Sequence, residues 1–510
     1  MARQLDDARV FRPSLINPAN FLIATRDTGY KTTALAIAEL VDNSLQAEAR
    51  QVAVDVRPGS DAGYPIEVWV TDDGIGMSRA VLMRALTFGG SSRFGDRSSL
   101  GRYGMGLPNG ALSRGRRVEV YTWQGHDVLW SRLDLDEVVE AGSRTLPPVE
   151  RVKRPPFVPY TPTGTVVRLL RCDRIEYKRP SALVRRLEED LGRIYRRFLV
   201  KGLNLQVNGR AVVAVDPLFL QRSSRMTGGR PFGDVLVYQV PATAGTGKVM
   251  VRFSELPIDR WHALPAEEKR QMGVTNGPCV SVLRAGREID RGWFFMGSKR
   301  RENYDDWWRC EVSFDPNLDE MFGITHAKQA VSPTDELLKI LVPDLESIAR
   351  ALNGRVRQRF QLVKATAPLG AAERQAGRAE ASLPSIPRRR DAIPDVLKDL
   401  VDSYGLGTPG QESPYRIVVA DLPTTSAFEI FVRGGSLLLF LNAKHPLYRD
   451  LYGPLAMSDS TKDQEVAKQV ALTVLAAARA EAGTRKIAER GQARRLRQTW
   501  ADVLATFMNA

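Results

Sequence analysis

The chain has 510 residues, 43% of them hydrophobic and 26% charged, a composition that suits an ordinary globular protein of about three domains. Its net charge is +14, with three cysteines far apart and only four histidines; this leaves no material for a disulfide framework or a histidine metal cage and favours polyanionic partners, chiefly nucleic acid. There is no apolar run of about 18 residues, so no membrane partner is expected, and the acidic opening MARQLDDARVFRPSL lacks the core of a secretory signal, so the reading is cytoplasmic.

Residues 1–30 read as an irregular strap containing Pro13, Pro18 and Gly29. The next stretch, Ala36–Ala47, is AIAELVDNSLQA. On a helix Glu39 and Asn43 share one face, one turn apart, while Ala36, Ile37, Leu40, Val41 and Ser44 can bury the others. The carboxylate can orient or deprotonate a water. The amide oxygen can bind a hard cation such as Mg²⁺. An amphipathic helix with a solvated polar edge has the same pattern.

QVAVDVRP (51–58) alternates as a strand. After a turn at Ser60, Asp61 and Gly63, the strand IEVWVT (66–71) runs into Asp72-Asp73-Gly74-Ile75-Gly76-Met77. A carboxylate at a strand end can accept a hydrogen bond from an adenine amino group. Two glycines let the backbone approach where a Cβ would collide. Residues 87–115, TFGGSSRFGDRSSLGRYGMGLPNGALSRG, form a glycine- and serine-rich loop before a helix start. Such backbone presents N–H groups to an anion, and the loop reads as a lid over phosphates. Arg116–Trp123 is a strand. After a proline-rich excursion at 147–162, Thr163–Leu169 turns into another, with Thr165 placed to support Asp72.

The ordered set ELVDNS, DDGIG, LGRYGMG, TGTVVRL resembles the GHKL (Bergerat-fold) ATPase superfamily. Its members include the B subunit of DNA gyrase, the ninety-kilodalton heat-shock chaperone, MutL and the histidine kinases. The pattern is most similar to the microrchidia (MORC) ATPases and their bacterial relatives, and covers residues ~25 to ~345 by motif order. The resemblance implies an α/β fold (an α+β sandwich): a Bergerat ATP-binding domain (1–170), an S5-like transducer domain (171–362), a basic linker (363–395) and a small C-terminal α/β domain (396–510). It makes Glu39 the general base and Asn43 the Mg²⁺ ligand. Asp72 would recognise adenine, with Gly74, Gly76 and Met77 beside the base. Gly101, Gly104, Met105, Gly106 and Leu107 would line the phosphates, and Thr165 would support the adenine site. Two positions depart from the pattern. Gln46 stands where relatives usually carry an acid. Pro108 and Asn109 stand where some carry a lysine, so a cation must come from elsewhere.

Ala182–Leu199 is a helical run whose other face carries Arg185, Arg186, Arg193, Arg196 and Arg197, a solvated basic face if the helix stood alone. Gly202–Val215 reads as a hairpin turning at Asn208-Gly209, with further strands at 233–240, 248–254, 279–285 and 310–314. Gly245-Thr246-Gly247-Lys248 has the wrong spacing for a P-loop and reads as a turn opening a strand. Met321–Ser332, MFGITHAKQAVS, looks like the transducer loop that carries a lysine to the γ-phosphate, which nominates Lys328. Thr334–Phe360 is a long helix that Pro343 should kink or split. Residues 363–395, with Arg388-Arg389-Arg390, read as a linker. Beyond lie helices at 393–404, 463–482 and 484–507, strands at 415–419, 428–432 and 437–442, and a loop histidine, His445. The leading expectation is an ATPase that takes ATP and Mg²⁺, forms an ATP-dependent homodimer and acts on DNA as a clamp or remodeller, with nucleoid association as one location. A chaperone-like ATPase would share every nucleotide residue. A sensor kinase needs a phosphoacceptor histidine ahead of the ATP domain, and none precedes His126.

Overall fold

The structure is a computed structural model that describes residues 16–90, 105–141, 145–242, 245–275, 277, 280–324, 330–394, 397 and 414–510. Gly101, Gly104, Lys328 and most of the helix expected at 393–404 lie outside the described residues. The chain divides into two compact units after Asn353.

The first unit holds two sheets. One has eight strands in the order β5-β4-β3-β6-β2-β1-β7-β8: β1 (Gln51–Pro58), β2 (Ile66–Asp72), β3 (Gly115–Gln124), β4 (Asp127–Asp134), β5 (Glu150–Val152), β6 (Thr163–Cys172), β7 (Asn204–Val207) and β8 (Arg210–Ala211). Neighbours are antiparallel except β1 and β7. The sheet therefore takes two strands from beyond residue 170. Its helices are α1 (Pro18–Asp27), α2 (Thr33–Gln46), α3 (Arg79–Ala85), α4 (Gly106–Leu112), α5 (Leu135–Ala141), α6 (Pro180–Ile194) and α7 (Arg196–Val200). Val52, Val54 and Val56 point to one face of β1, as alternation requires. They join Val68, Val120 and Leu169 in a core with Ile37, Val41, Leu187 and Leu191.

Within the expected strap, residues 18–27 are helical. The Asn17 side chain accepts the Asn20 N–H at 3.2 Å, and Pro18 occupies the first turn, where a missing N–H is harmless.

The second sheet runs β12-β11-β13-β10-β9, with β9 (Arg230–Pro241), β10 (Thr246–Glu255), β11 (Val280–Arg284), β12 (Arg287–Gly292) and β13 (Trp308–Phe314), and short helices α8 (Ile258–Trp261) and α9 (Ala266–Gln271). The Gly-Thr-Gly-Lys stretch opens β10 as a turn, with Gly245 at φ +82°. Strand β12 was not legible. It returns from β11 through Ala285 and Gly286, both in the left-handed region at φ +48° and +87°, as tight two-residue hairpins require.

Helix α10 (Asp335–Ala379) is continuous over 45 residues. Pro343 does not split it, because the proline sits on its exposed side while Leu337, Leu341, Leu345, Ala349 and Leu352 hold the opposite stripe in the core. Residues 363–379, read as linker, are helical.

The arginine face of α6 and α7 is solvated only in part: Arg185 is exposed, but the residues nearest the second sheet are not. Arg193 and Arg196 pair with Glu288 on β12, and Arg196 and Arg197 with Glu311 on β13. Burial pushes the Glu311 carboxyl up, but these arginines outweigh it and hold it below its ordinary value.

The second unit carries the mixed sheet β14-β16-β15, with β14 (Tyr415–Ala420), β15 (Phe428–Arg433) and β16 (Ser436–Asn442), and helices α11 (Gly453–Met457), α12 (Thr461–Ala482) and α13 (Ile487–Asn509). His445 is buried there and tied at both ring nitrogens: Nε2 lies 3.1 Å from the Ala501 carbonyl, and Nδ1 accepts the Leu447 N–H at 3.1 Å. Its role is structural.

Candidate nucleotide site

Helix α2 starts where the Thr32 hydroxyl accepts the Leu35 N–H at 3.3 Å, a standard cap. Its polar residues do not form a solvated edge, since Glu39 is 3% exposed and Asp42 is 0% exposed. Helix α4 covers Glu39. A methyl at Gly106 would stand 2.7 Å from Glu39 Oε1, and one at Gly110 would stand 3.6 Å from Glu39 Cβ. Glycine at 106 lets the first turn of α4 lie against that carboxylate without displacing it. Pro108 and Asn109 follow, both buried, with Pro108 again in a first turn.

Asn43, one turn beyond Glu39, is half-buried. Its Nδ2 atom and Asn109 Oδ1 are buried without a hydrogen-bond partner among the described residues. Such an atom costs about 1–3 kcal/mol. A fold that keeps two of them close to one carboxylate fits a cavity that receives polar ligand atoms.

Asp72 ends β2 and is 8% exposed. The Ser44 hydroxyl donates to Oδ2 at 2.8 Å and the Gly74 N–H to Oδ1 at 3.0 Å. Burial pushes the Asp72 carboxyl up, and these two hydrogen bonds only partly offset it. Asp73, by contrast, accepts the Arg50 and Gln51 N–H groups, each at 2.9 Å, and serves the backbone.

A Cβ at Gly74 would meet the Ala47 carbonyl at 2.7 Å. Gly76, at φ +68°, would place one 2.4 Å from the Trp123 carbonyl. Thr165 lies opposite Asp72 across the β2–β6 ladder, 3.3 Å from Thr122 through their hydroxyls. Thr122 in turn accepts the Met77 N–H at 2.8 Å. The half-buried side chains of Met77 and Leu107 pack against the apolar core. Met105 precedes α4 and makes no side-chain cap.

The helix carrying Glu39 and Asn43 thus touches the strand end carrying Asp72 through Ser44, and α4 through Glu39. Four contributors were not picked out as site residues from the sequence. Ser44 and Thr122 hold Asp72 and Met77. Asp42 is buried behind Asn43. The Tyr30 hydroxyl, raised well above its ordinary pKa by burial and then by Glu39, lies at the helix's other flank. A threonine inside the apolar strand VEVYTW and an acid inside AELVDN are the signals that could have marked two of them.

These residues gather where β2, an interior strand of the eight-stranded sheet, ends beside α2. Residues 30–156 match the family described as "Histidine kinase-, DNA gyrase B-, and HSP90-like ATPase". Among curated proteins, the chain is 35% identical to ATPase morc-1 of Caenorhabditis elegans over 117 residues, which is 23% of this chain and 13% of that protein. It is 29% identical to the DNA mismatch repair protein MutL of Rhizorhabdus wittichii over 189 residues, 36% of this chain and 30% of that one. The matched segments thus span less than a third of either relative. Over residues 30–156 the chain is therefore similar to GHKL-type ATPases, and it shares sequence with segments of a MORC and a MutL protein.

Proposed function

We propose that this chain binds Mg·ATP between α2, the end of β2 and α4, hydrolyses it, and closes as a homodimer while ATP is bound, with DNA as its polyanionic partner. The observation that carries this reading is the convergence of a buried Glu39, packed against the glycine start of α4, with a buried Asp72 on the same helix's Ser44. Asp72 accepts a hydrogen bond from the adenine amino group, and Gly74 and Gly76 leave room for the base. Asn43 offers its amide oxygen to Mg²⁺. Among the described residues there is no cluster of His, Cys, Asp or Glu that would hold a metal by itself; one amide plus phosphates and waters is an ordinary Mg²⁺ shell. The cation, when bound, neutralises phosphate charge and fixes its orientation. Glu39 orients a water and takes its proton as the water oxygen bonds to the γ-phosphorus. The bond from that phosphorus to the bridging oxygen breaks, and ADP leaves. Lys328, by resemblance, completes the charge at the γ-phosphate.

DNA enters from the +14 net charge and from the similarity to a DNA mismatch repair protein. Among the described residues no helix is long and apolar enough to cross a membrane.

The test is gel filtration with and without a non-hydrolysable ATP analogue, repeated with duplex DNA present. The analogue should shift the chain from monomer to dimer, and DNA should co-elute with the dimer. An unchanged elution volume at saturating analogue removes the clamp reading.

A further inference from the structure

Among the buried ion pairs that the proposed mechanism leaves unused, Asp42–Arg287 is the one on the helix of Glu39 and Asn43. Asp42 stands between Glu39 and Asn43 in sequence, three residues after one and one before the other. Its carboxylate points away from α4, into the joint between α2 and the second sheet. Arg287, the first residue of β12, brings Nε to 2.8 Å from Asp42 Oδ2 and 3.0 Å from Oδ1. The Tyr195 hydroxyl, between α6 and α7, lies 2.7 Å from Asp42 Oδ1 and 2.5 Å from the Ala38 carbonyl, one turn earlier on α2. Asp42, Arg287 and Tyr195 are all at most 1% exposed.

The pair has a long lever behind it. Arg287 follows the left-handed Ala285-Gly286 turn, so the guanidinium projects from a hairpin tip. That hairpin is pinned on both sides of Arg287. Arg284 pairs with Asp319 at 2.6 Å. Glu288 takes Arg196 at 2.8 Å. A buried pair of this kind contributes little net stability, because desolvation offsets the attraction. What it does give is registry: the Nε–H held between both Asp42 oxygens keeps one helix face at one distance from the sheet.

Resting on the ATPase reading above, we infer that Arg287 is a positioning residue for hydrolysis. Through Asp42 it sets where α2 holds Glu39 and Asn43, so the placement of the second sheet governs turnover. Moving the hairpin tip moves the carboxylate that carries the water. Misplacing a reacting group by about 1 Å costs on the order of 10²-fold in rate, while adenine contacts at Asp72 are untouched.

The variants are Arg287→Lys, Arg287→Met and the double change Asp42→Asn/Arg287→Met. The double change removes both buried charges together, so that neither is stranded. Three quantities are measured on the full chain: kcat, affinity for a non-hydrolysable ATP analogue, and amide exchange of residues 36–47 without nucleotide. The double variant should keep analogue affinity within about threefold, lose about 10²-fold in kcat and exchange faster along α2. Arg287→Lys, which keeps a charge on Asp42, should recover part of the rate, and it carries the comparison if the double variant does not fold. A folded double variant with wild-type kcat and exchange overturns the inference. So does a loss of kcat matched by an equal loss of affinity, the mark of a merely structural role. If the wild-type chain neither binds nor turns over ATP, the ATPase reading is what fails. Exchange along α2 then decides the positioning claim alone.

Discussion

Asn43 in the first unit and Asn442 in the second are the same side chain treated in opposite ways. Asn442, at the end of β16, is saturated. Its Oδ1 accepts from Leu422 N at 3.4 Å and Lys444 N at 3.1 Å, and its Nδ2 donates to the Thr424 and Ser426 carbonyls at 3.1 and 2.9 Å. It stitches a loop to a strand, and the geometry explains it completely. Asn43 has a buried Nδ2 with no partner among the described residues, on a helix that needs no amide there to fold. His445, tied at both nitrogens, belongs with Asn442. Asn442 and His445 serve the fold and are satisfied by it, whereas Asn43 is left with an open donor beside Glu39.

The sharpest way to break this contrast is Glu39→Ala. A general base contributes about 10²–10⁴-fold, so turnover should fall by that much while binding of a non-hydrolysable analogue survives. Unchanged turnover would remove Glu39 from the reaction. The matching change in the second unit, Asn442→Ala, should do the reverse. It leaves several backbone groups without a partner and should cost about 1–3 kcal/mol of stability, read as a lower denaturant midpoint, with kcat unchanged. If Asn442→Ala lowered kcat in fully folded protein, the second unit would hold part of the active site and the contrast would be false.

The gathering of the candidate residues was legible because their pattern is local. Glu39, Asn43, Asp72 and the glycines lie within short stretches at a fixed order, and each spacing has a geometric meaning on a helix or at a strand end. The strands β1, β2, β3 and β6 were legible by alternation and by their turn residues. What escaped was non-local or contextual. Arg287 and Asp42 are 245 residues apart, and nothing in either neighbourhood announces the other. The arginines of α6 and α7 look like a solvated face until Glu288 and Glu311 arrive from the second sheet. Pro343 looks like a break, yet burial of the leucine stripe carries the helix past it; beyond it, the alanine-rich tract is helical and buries Leu369 and Ala372. The short helix α1 was hidden by a proline that starts it.

The finest test concerns Asp72, where function and stability should pull apart. Burial raises its folded pKa above the ordinary carboxylate value, so the folded state binds that proton more tightly than the unfolded chain does. The sign follows from linkage. The stabilising contribution is present in full below the unfolded value of about 3.9 and is lost as pH rises through the folded value, so the ionised group is a burden at neutrality. Asp72→Asn has no such proton. Wild type should therefore gain stability relative to Asp72→Asn as pH falls from 7 toward 4. The gain is about 1.4 kcal/mol for each pH unit that separates the folded from the unfolded titration midpoint, measured as the difference between paired denaturant melts. Over the same range wild-type affinity for the ATP analogue should weaken, since a protonated carboxyl no longer offers the same acceptor to the adenine amino group, while Asp72→Asn should bind poorly throughout. A stability difference that stays flat with pH would mean the carboxyl is not perturbed at all. Asp72 would then be a turn residue satisfied by Ser44 and Gly74, and the adenine assignment would stand or fall on the binding measurement alone.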